Sequence, residues 1–293
     1  MIERRYAGPQ PMTELPAGAV DTQLHLYMPG FSARPGGPGL PPNAPGVAEY
    51  RQVMARLGIE RFVITQGNAH QFDNANILAA LAEAGDQARG VGVITEQTSD
   101  VELEALSAAG VVGARIMDLP GGSVGLDRLE AVDARAAAAG WMLAVQFDGG
   151  HLAEHMERLM GLRARWVLDH HGKFFRGISP EGPEVALLKR LVDNGRCWFK
   201  FAGCYESSRS GGPEFADIAH IARIMAAHAP ERIVWGTNFP HNAATSTEDY
   251  PDDAALCDTV LGWLPDEKGR RLALVENPEA LYGFAPVLRT QTG

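Results

Sequence analysis

Two periodicities alternate along this chain. Short apolar, β-branched runs occupy 20–26 (VDTQLHL), 61–66, 90–94, 112–117, 142–147, 165–169, 197–202 and 232–237. Between them lie segments 47–57, 73–85, 101–109, 127–139, 151–161, 183–194 and 214–228. Their apolar residues recur every three or four positions, as in Ile77, Leu78 and Leu81, or Leu187, Leu188, Leu191 and Val192. The first kind of run reads as a buried strand and the second as the inward face of a helix. Gly58, Gly85, Gly110, Gly140 and Gly195 end five of the helical segments, where a left-handed C-cap is expected. Eight strands alternating with helices, without a break in composition, predict an α/β fold, a single parallel eight-stranded (β/α)₈ TIM barrel. A doubly wound sheet is the alternative, but no GxGxxG follows the first strand to support dinucleotide binding. Residues 1–17 read as an irregular N-terminal arm, 18–293 as the barrel, and 253–284 within it as a C-terminal helical region.

Length and composition narrow the picture further. The 293 residues suit one barrel of about 250 residues with extensions, although a simple length prior would suggest two domains. The 26 basic and 36 acidic residues give a net charge of −10, with no basic patch, which argues against a nucleic-acid or anionic-membrane partner. Cys197, Cys204 and Cys257 are odd in number and form no CxxC pair, so a reducing cytoplasm is expected. No run approaches the roughly 18 apolar residues of a membrane span, and no secretory signal precedes the first strand. The pattern carries no signal for an oligomeric state.

In a barrel of this type, chemistry sits at the C-terminal ends of the strands. Those ends are polar here. Asp21, Gln23 and His25 alternate along strand one and are expected to share a face. Gln66 and Asn68 end strand two, Arg115 and Asp118 strand four, Gln146 and Asp148 strand five, and Asp169, His170 and His171 strand six. Lys200 lies in strand seven with Tyr205 and Arg209 beyond it, and Asn238, Pro240 and His241 follow strand eight. Any one of these, taken alone, reads more often as a hydrogen-bonded structural group. Arg115 and Lys200 carry more weight, because a charge inside an apolar run is seldom buried without a polar cavity or a partner. Residues 27–46, a Pro/Gly-rich loop after strand one, are expected either to cover such a cavity or to form a disordered surface loop. His151 and His155, four apart on a helix, read as a solvated face, since no third metal ligand accompanies them. His70 and Asp73 read as pocket lining or a helix cap, and Cys204 as an unreactive small residue.

The segments VDTQLH, WVLDHHGK, FKFAGCYESS, IVWGTNFPH and VENPEALYGF, in that order over about 18–284, resemble the amidohydrolase superfamily. More narrowly they resemble its lactonase branch, which includes 2-pyrone-4,6-dicarboxylate lactonase and sugar lactonases. The departures are informative. The superfamily usually carries His-x-His on strand one, where this chain has Gln23-Leu24-His25, and Asp on strand eight, where this chain has Asn238. Gln and Asn offer only neutral amide oxygens, which are poor substitutes for imidazole and carboxylate around zinc. The resemblance therefore implies a pocket with no metal and no cofactor, taking a small anionic sugar-acid lactone.

It further implies isomerisation of a sugar-diacid lactone by intramolecular acyl transfer, in which the substrate's own hydroxyl attacks the lactone carbonyl. Two rivals stand beside it: a hydrolytic lactonase, and a catalytically inactive sugar-acid-binding barrel. For the isomerase, His170 is the expected general base, with His25 as the alternative, and Asp169 orients His170 or a neighbour. His25, Lys200 and Asn238 are the candidate oxyanion donors. Arg115 binds the distal carboxylate, with Arg209 and Tyr205 as further candidates. Gln23, Gln66, Asn68 and Gln146 complete the expected binding set.

Overall fold

The structure, a computed structural model, describes residues 2–287. Met1 and residues 288–293, which fall in the expected arm and barrel, lie outside the described residues. Eight parallel strands pair in sequence order. They are β1 (Val20–Leu24), β2 (Arg61–Thr65), β3 (Ala88–Gly92), β4 (Val111–Met117), β5 (Met142–Gln146), β6 (Trp166–Leu168), β7 (Cys197–Phe201) and β8 (Ile233–Trp235). Helices α1 (Val47–Leu57), α2 (Ala75–Ala84), α3 (Asp100–Ala108), α4 (Leu129–Ala138), α5 (Leu152–Met160), α6 (Pro183–Asp193) and α7 (Ala216–His228) fill the crossovers. The result is a (β/α)₈ TIM barrel. After β8 come α8 (Asp253–Leu261), α9 (Glu267–Arg271) and α10 (Asn277–Tyr282), the last two joined by a π-helical turn over Leu272–Glu276.

The helices lie within two residues of the sequence expectation, because each has a clear apolar stripe and a defined stop. At the end of α1, Gly58 takes φ +82°, and its N–H closes onto the Met54 carbonyl. The other four terminating glycines also have positive φ. The strands fit less closely. β3 begins two residues before the expected run, since Ala88-Arg89-Gly90 carries little β-branched signal but pairs in register with Phe62, Val63 and Ile64. β6 and β8 are only three residues long.

Two apolar layers result from the strand alternation. The outer one lies between strands and helices and holds, for example, Leu24, Phe62, Ile116, Leu143, Phe199 and Phe201. The inner one fills the barrel's N-terminal half with Val20, Val63, Val91, Val167, Trp198 and Val234, and Leu281, Tyr282 and Phe284 pack against it from the C-terminal segment. Burial of these side chains supplies the main driving force for the fold. Above the inner layer the interior turns polar.

The β1–β8 seam closes the barrel through an irregularity. The β1–β2 register shifts between Asp21 and Leu24, so Asp21, Gln23 and His25 do not share one face as strict alternation would require. Asp21 instead turns to α1 and β8. Its carboxylate accepts from Tyr50 Oη at 2.7 Å, Thr237 Oγ1 at 2.5 Å, Thr237 N at 3.0 Å and Gln23 N at 2.9 Å. Burial lifts the Asp21 pKa to about 6 against the pull of these bonds. Backbone bonds from Asn238 N to Gln23 O at 2.8 Å and from His25 N to Phe239 O at 2.7 Å complete the seam. Gly236 sits where a Cβ would come within 2.5 Å of Gln23 Cβ, so only glycine lets the two strands approach this closely.

Neither the arm nor the long loop is loose. Residues 2–17 contain no helix or strand but are tied down. Arg56 on α1 donates to the Pro9 and Arg5 carbonyls and pairs with Asp252 at 3.0 Å. Asp258 on α8 accepts from the backbone N–H groups of Met12 and Thr13. Arg34 in the 27–46 loop pairs with Asp73, which also accepts from Ala75 N at the start of α2.

Candidate active site

The strand ends converge on a mouth whose polar groups fall into three networks. In the first, Lys200 on β7 projects into the barrel and is 1% exposed. It donates to Gln23 Oε1 at 2.9 Å and ion-pairs with Asp169 at 2.7 Å. Burial works against the ammonium charge, but the Asp169 carboxylate and Tyr282 together outweigh it, and the Lys200 pKa is raised. Asp169 therefore holds Lys200, the neighbour, rather than His170.

The second network surrounds Arg115 on β4, which is 5% exposed. One guanidinium nitrogen donates to the Gln66 carbonyl at 2.8 Å and to Asn68 Oδ1 at 2.6 Å, and the other to Gln146 Oε1 at 3.3 Å. Its Nε has no partner. Every one of these acceptors is neutral, and among the described residues no carboxylate lies within ion-pair distance of Arg115. Burial lowers its pKa. A buried guanidinium without a direct carboxylate partner is costly, and an anionic ligand carboxylate would offset that cost in bidentate form. Gln66 contributes its backbone only, since its side-chain amide donates to the Asp73 carbonyl at 2.6 Å.

The third network spans β7 and β8. Asn238 Nδ2 donates to Tyr205 Oη at 2.8 Å and to Glu206 Oε1 at 2.9 Å. Both amide hydrogens are thus committed, so Asn238 cannot serve as the oxyanion donor its position suggested. Tyr205 passes its own hydrogen to His241 Nδ1 at 2.7 Å, and His241 Nε2–H donates to Asp253 at 2.9 Å. Burial raises the Tyr205 pKa well above its ordinary value, so it acts here as a neutral donor. Glu206 also pairs with Lys173. Sequence reasoning missed Glu206 and Lys173, although both stand inside motifs that marked the site.

Two histidines near the strand ends carry different constraints. His25 Nδ1 lies 2.8 Å from the Thr65 carbonyl. A carbonyl only accepts, so Nδ1 carries the hydrogen and Nε2 keeps a free lone pair. Burial, and then the charge of Arg115, lower the His25 pKa to about 3. His170 is likewise held neutral, by burial and then by the charge of Lys173. Its Nδ1 is buried without a hydrogen-bond partner, 3.9 Å from Glu206. Gly203, at φ +58°, lets His170 and Asn238 come together, since a Cβ there would fall 2.9 Å from His170 Nδ1 and 2.8 Å from Asn238 Nδ2.

A cavity of about 210 Å³ opens between these networks, lined by His25, Tyr27, Asn68, Arg115 and His241. Pro38, Pro41 and Pro42 of the 27–46 loop form its outer wall, so this loop covers the mouth. Several sequence candidates lie elsewhere. Arg209 is on the surface, its guanidinium on the Arg176 carbonyl and its N–H on Asp217, and it does not line the cavity. His171 is stacked on Phe201 in the outer layer. Asp118 accepts from Leu126 N, and Asp148 from Gly150 N. His151 is exposed, and His155 lies edge-on to Phe147. His70 packs against Tyr27. Burial lifts the Cys204 thiol to about 12, which leaves it unreactive.

The donor set does not fit a divalent cation. Gln23 Oε1 already accepts from the Lys200 ammonium, which places a positive charge where a cation would bind. Asp21 is saturated at the seam, and Asn238 turns its amide nitrogen to Glu206. Among the described residues no group of three or more His, Cys, Asp or Glu is arranged to hold a metal.

The Asn238 geometry carries a test. Asn238→Asp places a second carboxylate against Glu206, and activity is expected to fall tenfold or more, about 1.4 kcal/mol. Adding Glu206→Gln restores a donor–acceptor pair, and steady-state kinetics of the double variant should recover part of the loss. Losses that simply add would contradict this account of Asn238.

A family model described as amidohydrolase matches residues 20–284. The chain is 59% identical over 290 residues to a D-galactarolactone isomerase of Agrobacterium fabrum, covering 99% of both chains. It is 31% identical to a 2-pyrone-4,6-dicarboxylate hydrolase of Comamonas testosteroni, covering 94% of each. An apo crystal structure from Agrobacterium tumefaciens, also 59% identical, superposes with a TM-score of 0.95 over 97% of this chain and 100% of that one. The motif order, the barrel and these matches agree, and the chain belongs to the amidohydrolase family.

Proposed function

We propose that this protein is an isomerase that converts D-galactaro-1,5-lactone to D-galactaro-1,4-lactone without a metal, within oxidative D-galacturonate catabolism. The observation that carries the reading is the pairing of a neutral His25, its Nε2 free, with a buried Arg115 that lacks a carboxylate partner, across one small cavity. The full-length similarity to a D-galactarolactone isomerase supports the substrate class. More distant similarity to lactone hydrolases supports the hydrolytic alternative only weakly. Three free, buried cysteines accord with a reducing cytoplasm, and among the described residues no helix is long and apolar enough to cross a membrane.

In this mechanism Arg115 binds the C6 carboxylate, and Asn68 and Gln146 fix the guanidinium plane. That anchoring holds the C4 hydroxyl near C1. His25 Nε2 removes the hydroxyl proton as O4 bonds to C1. The C1–O5 bond then breaks, and the His25 imidazolium returns the proton to O5. Binding an anion beside Arg115 offsets one cause of the low His25 pKa and strengthens the base when substrate is present. His170, with no protein partner at its buried Nδ1, is the free ring to stabilise the oxyanion, and Lys200 adds positive potential behind it. The sequence pattern favoured His170 as base. The tautomer fixed by Thr65, and the place of His25 on the cavity wall, support His25 in that role instead.

Intramolecular attack needs no metal-activated water. A well-oriented internal nucleophile can supply about 7–11 kcal/mol of the barrier. The direct test is carbon NMR of the product from purified 1,5-lactone and chelator-treated enzyme. The five-membered lactone is expected before any open diacid. Open diacid alone would establish the hydrolase, and saturable binding without turnover would establish the inactive barrel.

The two histidines separate by mutation. His25→Asn is expected to lower kcat by about 10²–10⁴, the usual worth of a general base. His170→Asn keeps a donor and should lower kcat less. The reverse order in steady-state kinetics would return the base to His170.

A further inference from the structure

The N-terminal arm contributes one residue to the cavity. Arg4 is 9% exposed and lines the same space as His25 and Arg115. Its guanidinium donates to the Pro42 carbonyl at 2.6 Å and the Asn43 carbonyl at 3.0 Å, and lies 5.9 Å from the centre of the Tyr250 ring. It thereby ties the arm to the loop that roofs the cavity. A second hollow, of about 700 Å³, opens behind the arm between Ile2, Tyr6, Asn43 and Glu49. Among the described residues, Arg4 alone borders both spaces. Its side chain is the partition between the catalytic cavity and this outer groove.

We propose that Arg4 determines the outcome of the reaction by excluding water from the cavity, so that lactone isomerisation prevails over lactone hydrolysis. This rests on the isomerase reading above. Both reactions break the same C1–O5 bond and return a proton to O5. They differ only in the nucleophile at C1: O4 of the substrate gives the 1,4-lactone, and a water oxygen gives the open diacid. His25 Nε2 would activate either one. Bulk water is a weak competitor, because an oriented internal hydroxyl has an effective molarity of about 10⁵–10⁸ M. A water held at His25 Nε2 would share that orientational advantage. The site must therefore deny water a seat beside the base, and a wall pinned to two backbone carbonyls does so. The charge on Arg4 is needed for the pinning, since two carbonyls at one guanidinium make strong, directional acceptors.

The test follows both products by NMR from purified 1,5-lactone for the wild type, Arg4→Ala and Arg4→Lys. In Arg4→Ala the ratio of open diacid to 1,4-lactone at early times should rise at least tenfold over wild type. In Arg4→Lys, which keeps the charge but not the planar guanidinium, the rise should be smaller, severalfold. Thermal melts check that each variant is folded, and if Arg4→Ala does not fold, Arg4→Lys carries the comparison. An unchanged product ratio would overturn the proposal. A higher KM at constant ratio would also overturn it and would make Arg4 a second carboxylate-binding residue. Wild-type enzyme that forms no 1,4-lactone would refute the isomerase reading itself, a result distinct from either of these.

Discussion

The β1–β8 seam is the constraint on which the site depends. A barrel must close, and here the closing strands are short, with β8 only three residues long. A single buried carboxylate, Asp21, gathers Tyr50 from α1, both polar groups of Thr237 after β8, and the backbone of Gln23. The register shift that allows this also turns Gln23 and His25 toward the interior. Gly236 permits the close approach, and the same seam fixes the backbone of Asn238. Removing the carboxylate would leave several buried donors unpaired, which is costly in a dry interior. Structural closure and presentation of the base are thus one arrangement.

Charge accounting explains the ligand class. Four cations, Lys200, Lys173, Arg115 and Arg4, stand around the mouth, and Arg4 donates to the Pro42 and Asn43 carbonyls. Lys200 takes Asp169, and Lys173 takes Glu206. Arg115 is left with neutral acceptors and a free Nε. A protein with net charge −10 can therefore hold a local anion site, because what matters in a cavity is the pairing of the nearest groups. The neutral amide of Asn238 also finds a reason within the chain: it lies against Glu206, where a carboxylate would be repelled.

Much of this was legible in the sequence, and the rest was hidden for physical reasons. The helices and barrel order follow from periodicity, because each element buries one face and ends at a clear stop. Strand-end reasoning pointed to Arg115, Lys200, Asp169, His25 and His170, since charged or ionisable residues in interior strands need a polar destination. Strict alternation misplaced Asp21, because an irregular register cannot be seen in side-chain pattern alone. Glu206, Lys173 and Arg4 lie in loops or in the arm, where no period assigns a direction. Glu206 had one usable signal, its place next to Tyr205 in FKFAGCYESS. Arg209, a few residues farther along, fell outside the site because chain proximity in a loop does not fix which way the loop turns.

A pocket that positions a substrate hydroxyl, supplies a neutral base and keeps water from its walls differs little from a hydrolase pocket. The difference lies in which oxygen reaches C1. Isotope incorporation reads that choice directly. Enzyme, chelator and D-galactaro-1,5-lactone in ¹⁸O-water, sampled early by mass spectrometry, should yield 1,4-lactone that carries no ¹⁸O. Label in that lactone would mean that water attacked first and the ring closed afterwards, and would contradict intramolecular transfer.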